Sequence, residues 1–147
     1  MRNTSSTNWA FDTNILVYLL DRKSPNHSLA VEAFKSAESQ EKEIIIAQQN
    51  LVELIQVLTT WYGLSLRRAV AQAEKAADRN VTLITPLPHT FSTYLDLCKK
   101  SNKPKNHFDL YLAATLLNND VPTLITNDPS GFKTVKELTV LSLAEFR

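Results

Sequence analysis

"NWAFDTNILVYLL", residues 8–20, joins two apolar segments at a single acid. Trp9, Ala10 and Phe11 read as a short buried strand, and the stretch from Thr13 to Leu20 reads as a helix. Asp12 stands at the junction. A strand that gives way at once to a helix is the repeating unit of a parallel α/β sheet, so the rest of the chain is read for the same alternation.

The alternation continues. Pro25 and Asn26 open a helix through "HSLAVEAFKSAES", and "EIIIA", 43–47, is a β-branched run suited to a strand buried on both faces. "QQNLVELIQVLTTWYG" predicts a helix with Leu51, Ile55, Leu58 and Tyr62 on its apolar stripe and Gly63 as its stop. Ser65 caps "LRRAVAQAEKAAD", and "VTLIT", 81–85, is a third strand. Helices follow at 90–100 and 108–119, then strands at 122–126 and 138–143. The pattern predicts an α/β fold: a three-layer α/β/α sandwich around a mainly parallel sheet of four to five strands.

Bulk properties narrow the function. The 147 residues suit one domain, with residues 1–7 expected to be a polar tail rather than a signal peptide. No apolar run approaches the roughly 18–20 residues of a membrane span, and cytoplasm is the expected compartment. The single cysteine, Cys98, excludes an internal disulfide framework and a cysteine-rich zinc site. Only two glycines occur, Gly63 and Gly131, too few for a phosphate-cradling glycine loop of either the P-loop or the dinucleotide type. A net charge of +1 argues neither for nor against nucleic acid. Locally, "KKSNKPK", 99–105, concentrates Lys99, Lys100, Lys103 and Lys105.

In parallel sheets the reactive groups gather beyond the carboxyl ends of the strands. Asp12 follows the first strand and Asp128 the fourth, in "LITND"; Glu53 lies early in the helix after the second strand. Asp109, in the first turn of "HFDLYLAA", joins them if its helix begins over the same edge. Each acid has an ordinary explanation: a helix cap for Asp12, a dipole partner for Asp109, a turn former for Asp128, a solvent-facing side chain for Glu53. Taken together these explanations weaken, because converging carboxylates in an apolar setting repel and require a cation. Oxygen-only ligands favour Mg²⁺ or Mn²⁺, which suits phosphodiester chemistry.

The set "FDTN", an acid after the second strand, "FDLYLAA" and "LITND" resembles the PIN-domain nucleases, and within them the VapC-like ribonuclease toxins of toxin–antitoxin pairs. The resemblance runs from Trp9 to the last strand and implies one PIN-like domain over residues 1–147. It implies Asp12, Glu53, Asp109 and Asp128 as the catalytic, metal-binding acids, with Asp12 and Asp109 as direct Mg²⁺ ligands. Glu53 and Asp128 would hold waters of the ion or a second ion. Asn14 and Thr126 match flanking polar positions. The sequence departs from the pattern after Asp128, where "NDPSGF" has no second acid.

The implied activity is an Mg²⁺- or Mn²⁺-dependent endoribonuclease. An activated water attacks phosphorus in single-stranded RNA and leaves a 5′-phosphate and a 3′-hydroxyl. The lysine run is the candidate phosphate contact. A cognate antitoxin and a homodimer are the implied partners, and no membrane. An aspartyl-phosphate enzyme fits poorly, because Asn14 stands where a second acid is needed. The remaining alternative is a catalytically silent PIN-like module that binds nucleic acid or protein. His27, His89 and His107 show no catalytic spacing.

Overall fold

Alternating side chains along each strand decide the architecture. In β1 (Asn8–Phe11), Trp9 and Phe11 face one side while Ala10 faces the other. In β2 (Glu43–Ala47), Ile44 and Ile46 join the first side, and Ile45 and Ala47 the second. Both sides are apolar, so helices must cover both, and the two faces build two separate cores.

A computed structural model describes residues 7–102 and 107–147. Four helices cover the first face: α1 (Thr13–Leu20), α2 (His27–Ser39), α3 (Gln48–Thr60) and α4 (Leu66–Asp78). The alanine stripes Ala30, Ala33, Ala37 of α2 and Ala69, Ala73, Ala76 of α4 allow close approach to Phe11, Phe34 and the sheet. The second face is covered by α5 (Thr90–Lys99) and α6 (His107–Asn118), whose Leu110, Ala113, Ala114 and Leu116 are buried. The remaining strands are β3 (Thr82–Ile84), β4 (Thr123–Thr126) and β5 (Thr139–Ser142).

All five strands are parallel, in the order β3-β2-β1-β4-β5. Ala10 of β1 is registered with Ile45 of β2 on one side and Leu124 of β4 on the other. The chain builds outward from β1 in one direction and then returns to build from β4 in the other. The switch point therefore lies between β1 and β4, where such sheets open a crevice.

The expected three-layer α/β architecture is present, with the sheet wholly parallel. Two details differ from expectation. The helix predicted to run to Gly63 ends at Thr60; Gly63 adopts φ +66°, and Leu64 N–H bonds back to the Leu58 carbonyl. The face that α3 buries carries Asn50, Leu54 and Leu58, whereas Leu51 and Ile55 are half-buried and Tyr62 is exposed. Among the described residues no helix is long and apolar enough to cross a membrane.

Candidate active site

Asp12 leaves the end of β1 in an extended conformation and caps α1, its Oδ1 accepting the Thr13 N–H at 2.8 Å. Capping, however, is only part of its role. The Asp12 N–H donates to the Ile125 carbonyl at 3.0 Å, which seats it at the β1–β4 switch point. Its Oδ2 accepts the Thr126 hydroxyl at 2.9 Å, and Asn50 Nδ2 lies 3.3 Å from Oδ1. Asp12 is 8% exposed, so an acid that ordinarily seeks water is fixed here by three donors.

The neighbours extend this network. Asn50 Nδ2 donates to Thr13 Oγ1 at 2.9 Å, and Thr13 Oγ1 donates to Glu53 Oε2 at 2.8 Å. Glu53 Oε1 accepts from Gln49 Nε2 at 2.8 Å, and the same amide reaches the Phe108 carbonyl at 3.0 Å, tying α3 to the start of α6. Asn14 Nδ2 donates to Thr126 Oγ1 at 3.2 Å, and its Oδ1 accepts the Asn127 N–H at 3.2 Å. Asp128 N–H donates to Thr126 Oγ1 at 3.2 Å, and Asp128 Oδ1 accepts Ser130 Oγ at 2.6 Å.

Asp109 lies in the first turn of α6, which does begin over the carboxyl edge. Asp12, Glu53, Asp109 and Asp128 line one cleft of about 430 Å³, with Thr13 and Asn14 beside them. The single-turn 3₁₀ helix Pro129–Phe132 packs against Asp109. A Cβ on Gly131 would collide with Asp109 Oδ2 and stand 3.1 Å from its Cγ, so only glycine leaves the carboxylate its place.

Electrostatics show that the acids share a field. Burial pushes the Asp109 carboxyl from its ordinary 3.8 up to about 6, with further push from the charges of Asp12, Glu53 and Asp128. Asp12 is also raised, chiefly by burial; its hydrogen bonds from Thr126 and Thr13 oppose the shift, and Glu53 and Asp128 add to it. No ion pair between described residues reaches any of the four; the pair recorded among them is Lys35 with Glu32.

Such a donor set fits a hard divalent cation. Among the described residues every donor is oxygen, the negative charge lacks a protein counter-charge, and no sulfur or imidazole lines the cleft. Among the described residues no three acids, histidines or cysteines close into a ready-made cage. Carboxylates spaced around an open cleft suit Mg²⁺, which takes few protein ligands and keeps several waters.

Lys99 and Lys100 end α5 and are exposed; Lys103 and Lys105 lie outside the described residues. His27 Nδ1 meets the Tyr18 carbonyl at 2.8 Å, and neither His89 nor His107 lines the cleft. Sequence reading missed Asn50, Gln49, Thr13 and Gly131. Asn50 had a signal: a polar residue four positions before Leu54 on the face of α3 that is otherwise buried. It also missed the apolar and aromatic lining of the cleft, Val17, Tyr18, Val57, Trp61 and Tyr62.

No curated protein matches the chain by sequence. A chain of the VapBC2 structure from Rickettsia felis, bound to a DNA fragment from their promoter, superimposes with a TM-score of 0.71 at 18% identity, covering 92% of this chain and 98% of that one. A chain of VapBC-1 from nontypeable Haemophilus influenzae gives 0.70 at 21% identity, covering 94% and 99%. VapC20 of Mycobacterium tuberculosis, a Sarcin-Ricin loop cleaving toxin, gives 0.67 at 14% identity, covering 86% and 94%. At these identities the likeness is one of fold. The PIN domain family matches residues 10–138, a span that holds all four carboxylates and the sheet edge they crown; the chain belongs to the PIN domain family.

Proposed function

We infer that the protein is an Mg²⁺- or Mn²⁺-dependent endoribonuclease that hydrolyses phosphodiesters of single-stranded RNA, and the toxin of a toxin–antitoxin pair. One observation carries the nuclease reading. Four carboxylates from four separate elements line one cleft, and no cationic side chain among the described residues neutralises them. Membership of the PIN domain family supports it, as does the fold shared with a toxin that cleaves the Sarcin-Ricin loop.

In this reading Asp12 and Asp109 are the direct ligands of the ion. Asp12 is held rigid by Thr13, Thr126 and Asn50. Glu53, fixed between Thr13 and Gln49, and Asp128, fixed by Ser130, accept hydrogen bonds from water at the rim. When bound, the ion supplies Lewis-acid stabilisation of the charge that builds on the phosphate oxygens and acidifies the attacking water. Lys99 and Lys100 would meet the RNA backbone; Lys103 and Lys105 extend the same run in sequence.

Cleavage of a single-stranded RNA pool in Mg²⁺ or Mn²⁺, against EDTA and against Asp12→Asn, tests the reading. Both treatments should lower the rate by about 10²–10³ or more. Cleavage that survives both would refute it. The toxin assignment is separate: expression should arrest growth, and co-expression of a partner gene encoded beside it should restore growth. The shared fold with chains of VapBC structures supports such a partner. Self-association is supported by the exposed apolar side chains Val52, Leu66 and Phe91 and is read by light scattering.

A further inference from the structure

The cleft that holds the acids is also lined by three aromatic rings. Trp61 lines it at 81% exposure, the most exposed large apolar side chain among the described residues, beside Tyr18 and Tyr62. The tyrosines are tethered: the Tyr62 hydroxyl donates to Asp21 Oδ2 at 2.8 Å, and the Tyr18 hydroxyl accepts from Asn127 Nδ2 at 3.1 Å. The indole is not packed away in either core. Glu53, Val57 and Trp61 fall at i, i+4 and i+8 along α3 and its cap, so one helical stripe leads from the carboxylates to the ring. Eight residues of helix rise about 12 Å, the scale of a nucleotide or two beyond the acids.

We propose that Trp61 is a substrate-positioning residue. It stacks on an unpaired base of the RNA strand whose phosphate meets the carboxylates, so that the cleft selects strands able to splay a base. The proposal rests on the nuclease reading. The cleft pairs a site for a phosphate with a free π-face, and that combination matches a single-stranded nucleic acid. A duplex keeps its bases stacked internally and presents none to the ring.

Only two tryptophans occur, and Trp9 is buried, so the exposed indole reports its own contacts. The full chain is titrated with a mixed-sequence single-stranded oligoribonucleotide in Ca²⁺, which holds the strand while chemistry is slow. Tryptophan emission should fall on binding. Trp61→Ala should weaken binding about five- to a hundredfold, and Trp61→Phe should recover most of that loss. In Mg²⁺, KM for Trp61→Ala should rise by the same factor while kcat stays within a few-fold. An abasic residue walked along the strand should cost wild type the same factor at one position and cost Trp61→Ala nothing there. Equal affinity of Trp61→Ala and wild type would overturn the proposal. So would an emission change that follows protein concentration without RNA, which would assign the ring to self-association. A wild type that cleaves in a metal-dependent way but shows no Trp61 effect loses the stacking alone. A wild type that neither binds nor cleaves the pool loses the nuclease reading with it.

Discussion

Asp109→Asn should stabilise the ion-free protein while removing its activity. The carboxyl is raised from 3.8 to about 6, a little over two units, or at most about 3 kcal/mol at 1.36 kcal/mol per unit. Partial exposure screens the field, which leaves about 1–2 kcal/mol. The sign follows from linkage. A carboxyl raised on folding binds its proton more tightly in the native state, so its charge costs nothing below its ordinary 3.8 and costs progressively more as pH rises to about 6. Above that the penalty is complete. In EDTA near pH ~7.5, Asp109→Asn should therefore melt about 2–8 °C above wild type, at roughly 2–4 °C per kcal/mol for a domain of this size. Near pH ~4 most of the gain should vanish, because the folded carboxyl is then neutral and only the unfolded one is partly ionised. Saturating Mg²⁺ should reverse the order, since only wild type retains the ligand and gains RT ln(1 + [L]/Kd). Thermal melts at the two pH values, with and without the ion, measure all three outcomes. A variant less stable than wild type in EDTA near pH ~7.5, or equally stabilised near pH ~4, would refute the shared field of the four acids.

Gly131→Ala should leave the fold intact yet lower kcat by about tenfold or more, because a Cβ would displace the Asp109 carboxylate; kinetics with a parallel Mg²⁺ titration read both effects. Thr126→Val removes the donor to Asp12 Oδ2 and the acceptor for Asn14 and the Asp128 N–H, and should cost about 1–3 kcal/mol in denaturant unfolding together with most of the activity. Lys99→Gln with Lys100→Gln should flatten the salt dependence of RNA binding by about 0.7 log units per lost phosphate contact, with little change in thermal stability. An unchanged slope would remove those lysines from the interface.

How much of this was legible in the sequence depends on how local each feature is. The parallel sheet was legible because buried strands and amphipathic helices carry different periodicities. Asp12 and Asp128 were legible because each follows a strand directly, and in such a sheet that fixes which edge a side chain occupies. Glu53 was harder, since a glutamate beside Gln49, Gln56 and Thr60 resembles any solvent-facing stripe; it was its place one turn after a strand that singled it out. Asp109 depended on where a helix preceded by another helix would begin, which is a tertiary question. Asn50 was missed because apolar spacing at Leu51, Ile55 and Tyr62 described a plausible stripe, while the real buried face admits an amide to serve Asp12 and Thr13. Gly131 counted only toward excluding a glycine loop; its contact with Asp109 joins two segments that nothing in the local sequence connects.

The two acids assigned to the ion are held in opposite ways, and this bears on how the site works. Asp12 is buried and fixed by donors from three residues on β4, α1 and α3, so its position is set by the fold before any cation arrives. Asp109 is half-buried at a helix start, against a glycine that leaves room for its carboxylate. In the proposed reading, a cation would meet one ligand that the fold holds through three donors and one for which no side-chain hydrogen bond is seen among the described residues, with Glu53 linked to the first through the Thr13 hydroxyl and Asn50. That hydroxyl accepts from Asn50 and donates to Glu53, so it orients one acid directly and the amide that reaches Asp12. Thr13→Val would release Glu53 and the Asn50 amide in a single substitution while the Thr13 N–H and Thr126 still hold Asp12, whereas Thr13→Ser would keep both hydroxyl bonds. The rigidity of the site thus resides in a buried layer of neutral hydrogen-bonding groups. Those groups take no part in the charge of the cleft, yet they decide where that charge stands.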